Sequence, residues 1–416
     1  MTLLCALYLS SVLSSPGYFR RWSDIDVTKE DKTRIGWGKN GTVVVTRQFP
    51  RDVVRQKDWT FCCPGIYEHE VVDCPAGPRV EFAQGTNKDL AKLATKYDVV
   101  IQLINARCAS TGGCAAPKNA PPNVMKIMWT FEPPGYMAGA ERTNEASFTT
   151  AFDLALTYSS DSQHTAQPYI SFQTGDHIFA PLAVPFEERG AASPVAALVS
   201  NCGWGGNSRR REIIAGLMNY MNIDSYGKCL HNTKEAVNNE KDEFATLSRH
   251  KFIFALENTV CSEYITEKVV RAYRLQLIPI VFEVNKREGN VSSPGYESLF
   301  PKGSFLNLAQ FDSLKAAAAH IQEVATNRQL WMKYMSHRSD GKALEAWRSR
   351  FYQRYGLPLC RLAEQSIARS RVPQSARQPL QPMLHCERDP QALWPFAENV
   401  TEIKRIADEK RKKTSR

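Results

Sequence analysis

A carboxylate and an ammonium group stand side by side in the stretch FALENTVCSEYITEKVV, residues 254–270. Glu267 and Lys268 come shortly after Tyr264, at the start of a helix predicted over residues 266–276. The lysine could neutralise a phosphate group, and the glutamate could accept hydrogen bonds from sugar or ribose hydroxyls. Alternatively, the glutamate merely suits the positive end of the helix dipole and the lysine is solvated.

A cluster of arginines opens another predicted helix, in the stretch NSRRREII, residues 207–214. Ser208 is expected to cap this helix, which places three arginines, Arg210 among them, in its first turn. Positive charge is unfavourable at this end of a helix, because the helix dipole is itself positive there. A bound phosphate would reverse the sign of that effect. A basic surface turn without a ligand explains the residues equally well.

A third candidate, Glu132, ends the predicted strand MKIMWTFEPP, residues 125–134, and is followed by two prolines. The neighbouring Trp129 and Phe131 could partly remove this carboxylate from water. Desolvation raises the pKa of a carboxyl group and makes its carboxylate a better base. A solvent-facing glutamate in a turn is the alternative interpretation.

Strands and helices alternate along the chain in the order that positions such side chains. Runs rich in β-branched residues predict strands, and apolar residues at helical spacing predict helices. The strands are expected at 41–49, 97–104, 125–134, 194–200, 251–258 and 278–283, and the helices at 88–97, 208–221, 266–276 and 312–326. This order predicts an α/β protein with parallel sheets. Residues 58–86 are expected to form a disulfide-tied loop region, and residues 159–194 a linker between domains.

Composition narrows the class of partner. The chain has 416 residues, a formal charge of +10 and a pI near 9.0, which favours an anionic partner. Zinc-finger spacing, an RNA-binding aromatic signature and a basic helix stripe are not found, so nucleic acid is disfavoured. Eleven cysteines and acceptor sequons at Asn40, Asn290 and Asn399 favour a lumenal, oxidising compartment, although the sequence does not give the disulfide pairing.

The N-terminus predicts a targeting role. Residues 2–13 are largely apolar, but this run is shorter than the roughly 18 residues that span a bilayer. A weak signal peptide or an incomplete membrane anchor fits it, and a buried N-terminal strand is the alternative. With the cysteines and sequons, this favours a Golgi or endoplasmic reticulum membrane location, with the rest of the chain in the lumen.

Two long motifs resemble the α1,3/1,4-fucosyltransferases, glycosyltransferase family ten. They are KFIFALENTVCSEYITEKVVRA and VSNCGWGGNSRRREIIAGLMNYMNIDSYGKC, and the segment FDLALTYSSDS, residues 152–162, adds a shorter match. The resemblance covers roughly residues 95–345. The motif sequences are similar both to the branch with protein O-fucosyltransferase-like members and to enzymes that fucosylate the N-glycan core.

The resemblance implies a GT-B type fold, with two Rossmann-like domains facing a cleft. It also implies GDP-β-L-fucose as the donor and a glycan or protein hydroxyl as the acceptor. The expected parts are a targeting or stem segment (1–35), an acceptor-side Rossmann-like domain (36–190), a GDP-fucose-binding domain (191–345) and a helical extension with a basic tail (346–416).

The family motifs also imply roles for individual side chains. On the donor, Arg210 and Lys268 match phosphate-binding residues, and Tyr264 and Glu267 match residues on ribose or fucose. Glu257 and Asn258 match the family's Glu-Asn pair at the end of a strand. Glu132 matches the catalytic base of a Glu-Ser-Pro motif; Pro133 stands here in place of the serine, which bears on the local turn and the acceptor specificity.

The predicted reaction needs no metal ion. Many transferases bind a metal with an Asp-x-Asp triplet, but Asp24-Ile25-Asp26 is far in sequence from the donor motifs and is better interpreted as a loop. Arg210 and Lys268 would instead neutralise the leaving diphosphate. Glu132 would take the acceptor proton in a single inverting displacement. A binding protein without catalysis, acting as a chaperone or scaffold in the secretory pathway, is the alternative from another functional class.

Overall fold

The computed structural model describes the following residues: 42–48, 71–74, 78–82, 90–105, 119–130, 132–133, 150–158, 164–166, 168–170, 172–190, 192–201, 208–237, 239–261, 263–283, 295–356, 358–377, 380, 386 and 394–405. The N-terminal segment 1–35, the triplet 24–26 and the sequons at Asn40 and Asn290 lie outside this part. Among the helices of the described residues, none has the length and apolar character needed to cross a membrane.

Two sheets, the first mostly parallel and the second parallel in all its registered pairs, form the framework. The strands of the first sheet are β1 (Thr42–Gln48), β2 (Val71–Asp73), β3 (Arg79–Phe82), β4 (Val99–Asn105), β5 (Val124–Trp129), β6 (Leu154–Thr157) and β7 (His164–Ala166). Those of the second are β8 (Val195–Ala197), β9 (Ile223–Ser225), β10 (Phe252–Phe254), β11 (Ile278–Val281) and β12 (Leu306–Asn307). Each of the six predicted strands is present, although β5 ends at Trp129, before Glu132.

Helices connect and cover these strands. Those defined by the described residues are α1 (Leu90–Lys96), α2 (Phe172–Phe179), α3 (Arg210–Leu217), α4 (Glu240–Leu247), α5 (Glu267–Arg274), α6 (Tyr296–Leu299), α7 (Leu314–Thr326), α8 (Arg328–Met335), α9 (Gly341–Tyr355) and α10 (Pro358–Ser370). The apolar face of α5 lies in the core, since Val269, Ala272 and Tyr273 are buried. In α3, Ile213, Ile214 and Leu217 are likewise buried.

The chain divides into two compact units that are not contiguous in sequence. The first comprises Met1–Trp129, Thr150–Ala155 and Leu357–Leu380, and the second comprises Thr130–Thr149, Leu156–Gly356 and Gln381–Arg416. The division differs from the expected contiguous domains in that α10 belongs to the first unit, where it packs on β3, β4 and β5.

The first sheet has the order β2-β3-β1-β4-β5-β6-β7. β1, β4 and β5 pair in parallel, whereas β2 pairs antiparallel with β3. Strands β2 and β3 lie within residues 58–86, so the interpretation of this stretch as a loop region is corrected. Cys74, at the end of β2, forms a disulfide with Cys360 on α10, so the expected disulfide tie in this region is confirmed.

The second sheet has the order β12-β11-β10-β8-β9, and all of its registered pairs are parallel. Counted along the chain from β8, this is the doubly wound order 2-1-3-4-5. The direction of winding reverses between β8 and β10, and open α/β sheets bind ligands beyond the carboxyl ends of the strands at such a point. The predicted α/β fold class, with Rossmann-like units, is confirmed.

Residues 159–194 are not a plain linker, as the sequence had suggested. They contain β7 and α2, and α2 packs against α5 and α9 within the second unit. Gly175 lies in this helix, and a Cβ atom at this position would lie 2.8 Å from the Trp347 ring on α9. The glycine therefore allows close helix packing.

Candidate active site

The loops that follow β8 and β10 meet at the switch point of the second sheet. Asn201 lies beyond β8, and Glu257 and Asn258 lie beyond β10. The backbone N–H of Ser208, which precedes α3, donates to the carbonyl oxygen of Asn258 at 3.3 Å. The start of α3 is therefore fixed directly to the end of the strand that leads to the glutamate–lysine motif.

Arg210, rather than Ser208, defines the start of α3. The N-cap residue is Arg209, whose left-handed backbone has a φ of 50° and whose side chain makes no capping hydrogen bond, so the predicted Ser208 cap is wrong. Arg210 is the first helical residue, and its Nη2 donates to the carbonyl oxygen of Asn201 at 3.1 Å. The guanidinium group is thus held beside the strand end and the open backbone N–H groups of the helix.

Three buried polar atoms beside this helix start make no hydrogen bond within the described part of the chain. They are Ser208 Oγ, Asn258 Oδ1 and Thr259 Oγ1, in residues that are 4%, 9% and 1% exposed. Buried polar atoms nearly always have a partner, so a group of three calls for an explanation. A polar ligand at the switch point would supply the partners. Thr259 has no signal in the sequence that points to a site.

The side chain of Glu257 binds the start of α5. Its Oε1 accepts hydrogen bonds from the backbone N–H and the hydroxyl of Thr266, at 2.9 and 2.8 Å. Its Oε2 lies 2.8 Å from Nζ of Lys268, which also donates to the Thr266 hydroxyl at 2.8 Å. Glu267 Oε1 is more distant from Nζ, at 3.4 Å. Glu257 therefore both caps the helix and fixes the lysine.

Charge at this cluster favours a cationic lysine. Burial by itself would lower the pKa of Lys268, but the nearby Glu257 and Glu267 outweigh it and raise that pKa. The positive charge of Arg210 also acts on Lys268, in the opposite direction. Arg210 and Lys268, the two cations of the predicted phosphate site, therefore repel one another from the starts of α3 and α5. An anion between them would relieve this repulsion.

Replacing Glu257 by glutamine should lower the free energy of unfolding by about 1–3 kcal/mol. The change leaves Lys268 without its 2.8 Å carboxylate partner, and the lysine side chain is only 21% exposed. Urea unfolding at neutral pH measures the effect. Glu267→Gln is the matched control, because that carboxylate is more exposed and more distant from the lysine. Equal unfolding midpoints for the two variants would contradict the assignment of Glu257 as the main partner.

Glu132 lies in a turn beyond β5. The Thr130 hydroxyl accepts the backbone N–H of Glu132 at 3.1 Å and donates to its carbonyl oxygen at 3.0 Å. The Tyr264 hydroxyl donates to Glu132 Oε2 at 3.0 Å. Burial raises the pKa of Glu132 above its ordinary value, and the Tyr264 hydrogen bond and the charge of Lys268 oppose that rise. The carboxylate therefore has the partial desolvation expected of a general base.

Two further tyrosines surround Tyr264. The Tyr158 ring centroid lies 5.0 Å from that of Tyr264, and the Tyr169 ring packs edge-on to it at 6.1 Å. The sequence motif at 152–162 contains Tyr158 but suggested no role for it, and Tyr169 had no sequence signal. Periodicity along one segment cannot reveal a cluster whose members come from separate loops.

The seven predicted site residues all lie in the second unit: Glu132, Arg210, Glu257, Asn258, Tyr264, Glu267 and Lys268. The structure joins them into two adjoining groups, one around Lys268 and the other around Glu132, with Tyr264 in the loop just before α5. Groups of three or more His, Cys, Asp or Glu side chains suited to a metal ion are not found among the described residues.

Comparison with known proteins gives a family for this region. Residues 189–379 match the sequence profile of the family described as Glycosyltransferase family 10 (fucosyltransferase) C-term. Over 157 residues the chain is 34% identical to GDP-fucose protein O-fucosyltransferase 3 of Xenopus laevis, covering 36% of this chain and 31% of that protein. Over 240 residues it is 28% identical to 4-galactosyl-N-acetylglucosaminide 3-alpha-L-fucosyltransferase 9 of Mus musculus, covering 57% of this chain and 60% of that protein.

The chain thus spans less than two thirds of the length of each of these relatives. Among solved structures, it is similar to a crystal structure of an α1,3-fucosyltransferase with GDP. That alignment has a TM-score of 0.44 and 14% identity, and it covers 77% of this chain and 93% of the other. Residues 189–379, which contain the switch point and both cationic helix starts, are thus similar to the C-terminal part of the family 10 fucosyltransferases.

Proposed function

We propose that the chain transfers L-fucose from GDP-β-L-fucose to a hydroxyl group, with inversion at the anomeric carbon. The observation that carries the proposal is the pair of cations at the starts of α3 and α5, at the switch point of a sheet within a family 10 region. Arg210 and Lys268 would bind the diphosphate, and Ser208, Asn258 and Thr259 offer further polar atoms to the nucleotide sugar. Glu267 would accept hydrogen bonds from the ribose or the fucose.

The chemistry is a single displacement. The acceptor oxygen bonds to the anomeric carbon as the bond from that carbon to the GDP oxygen breaks, and Glu132 takes the acceptor proton. The leaving diphosphate gains negative charge during this step, which Arg210 and Lys268 stabilise at fixed positions. In this scheme the two side chains do the electrostatic work that a divalent metal does in other transferases, so metal is not required.

The proposed acceptor is an N-acetylglucosamine hydroxyl of a glycoprotein glycan, giving an α1,3 linkage. A second candidate is a hydroxyl of a folded protein domain, and one observation favours it: the higher identity, 34%, is to the relative named as a protein O-fucosyltransferase. Either acceptor would be met in the lumen of the Golgi or endoplasmic reticulum. The disulfides Cys74–Cys360 and Cys261–Cys386 support an oxidising compartment.

Incubation of the purified chain with GDP-fucose and a panel of acceptors tests the proposal. The panel contains N-glycan cores, Lewis-type antennae and folded protein domains, each with and without EDTA. Fucose transfer to one class, unaffected by EDTA, is the expected result. A product formed only with added metal would refute the metal-free scheme. GDP-fucose binding without transfer to any acceptor would favour a catalytically inactive binding protein.

A further inference from the structure

We infer that Tyr264 is a positioning residue for Glu132, a role that rests on the proposed function of Glu132 as the base. The family resemblance implies that Tyr264 contacts the ribose or fucose of the donor. In the structure its hydroxyl instead lies 3.0 Å from Glu132 Oε2 and donates to it. This hydrogen bond fixes one carboxylate oxygen and leaves the other, Oε1, for the acceptor hydroxyl.

The loop that carries Tyr264 is fixed on both sides. Cys261 forms a disulfide with Cys386, and the backbone N–H of Tyr264 donates to the carbonyl oxygen of Cys261 at 3.2 Å. Thr266, two residues later, is bound by the carboxylate of Glu257. The hydroxyl of Tyr264 is therefore held in place by the protein itself, before any substrate binds.

Glu263 adds a third restraint. Its backbone is left-handed, with a φ of 59°, a conformation that residues other than glycine adopt at a cost. Its buried carboxylate pairs with Arg354 on α9 at 2.8 Å. The ion pair holds this left-handed residue in place directly before Tyr264. The rings of Tyr158 and Tyr169 then pack against the tyrosine ring.

The hydrogen bond also adjusts the acidity of the base. Donation to the carboxylate favours its charged form, so Tyr264 lowers the pKa of Glu132 against the effect of burial. Tyr264 itself stays protonated, because burial raises its own pKa well above the ordinary value. Glu132 must be deprotonated to act as a base. Tyr264 thus keeps the base in its active form at a lower pH than burial alone would allow.

Tyr264→Phe tests the inference by removing only the hydroxyl. We expect the acid limb of the kcat/KM profile to move upward by about one pH unit. On the plateau we expect kcat to fall by about tenfold, with the KM for GDP-fucose unchanged. Tyr158→Phe is the matched control: it also removes a buried hydroxyl beside Tyr264, but that hydroxyl makes no hydrogen bond within the described part of the chain. This control should keep the wild-type profile.

A donor-binding role predicts the reverse pattern: a raised KM for GDP-fucose and an unmoved acid limb would overturn the inference. A second measurement does not depend on activity. The ¹³C shift of the Glu132 carboxyl group, assigned by its loss in Glu132→Gln, reports the pKa of Glu132 directly in the full chain. In Tyr264→Phe we expect the pKa of Glu132 to rise by the same amount as the acid limb of kcat/KM. An unchanged pKa of Glu132 would refute the positioning role. An inactive wild-type protein would refute the proposed function alone.

Discussion

Replacing Glu132 by glutamine should reduce kcat for fucose transfer by about 10²–10⁴-fold, while the affinity for GDP stays unchanged. Glutamine has nearly the same shape and can still accept the Tyr264 hydrogen bond, but it cannot take a proton from the acceptor. The measurement is the transfer rate at saturating GDP-fucose, together with the dissociation constant of GDP by calorimetry. Because the geometry is preserved, a loss of activity would report on proton transfer rather than on folding.

The pH dependence of the wild-type protein provides the control for this variant. Burial raises the pKa of Glu132, so kcat/KM should fall as the pH drops through a value above the ordinary glutamate range. The residual kcat/KM of Glu132→Gln should not show this fall at low pH, because the titrating carboxyl group is gone. Wild-type turnover in the glutamine variant would exclude Glu132 as the base. A parallel loss of GDP binding would instead assign the residue to the donor site.

Replacing Arg210 by methionine should lower kcat/KM by about 10²–10³-fold, because in the proposed function its guanidinium group stabilises the diphosphate as negative charge develops there. The same change should not destabilise the free protein. Arg210 is a cation in the first turn of α3, where the helix dipole opposes it, and its charge also repels Lys268. Loss of function without loss of stability would therefore mark the arginine as a ligand-binding residue.

Thermal unfolding with and without GDP separates these effects. The free Arg210→Met protein should unfold at or slightly above the wild-type temperature, and the stabilisation by GDP should be lost. Arg209→Met removes the same charge one residue earlier, from a left-handed position that the proposed site does not use. It should change kcat/KM by less than about threefold, since a charge outside the proposed site is largely screened. Equal losses in both variants would indicate a nonspecific effect of charge.

The cluster around Lys268 could be predicted in large part from the sequence. Glu257, Thr266 and Lys268 fall within twelve residues, between a buried strand and an amphipathic helix, so local spacing already places them at one strand end. The family motifs cover the same stretch. The hydrogen bonds of these residues could be assigned only from the structure, because the sequence does not say which glutamate pairs with Lys268. The buried Glu257 is the nearer partner, at 2.8 Å, and the adjacent Glu267 is farther away.

Several errors have one cause: a local signal had another explanation in three dimensions. Ser208 has the residue type of a helix cap, yet the chain reaches α3 through a left-handed Arg209. Residues 159–194 have the composition of a linker, yet α2 within them packs against α5 and α9. The packing of α10 on strands of the first unit likewise has no local signal in the sequence.

The sequence by itself determined the fold class, the main strands and helices and the cationic helix starts, because the periodicity of apolar residues acts over a few residues. The tertiary structure alone decided which distant side chains meet. The hydrogen bond between Glu132 and Tyr264 joins two loops. The loop of Tyr264 is held by a disulfide, an ion pair and packed rings. None of these contacts leaves a periodic pattern in either segment. The position of the proposed base is therefore a property of the folded chain.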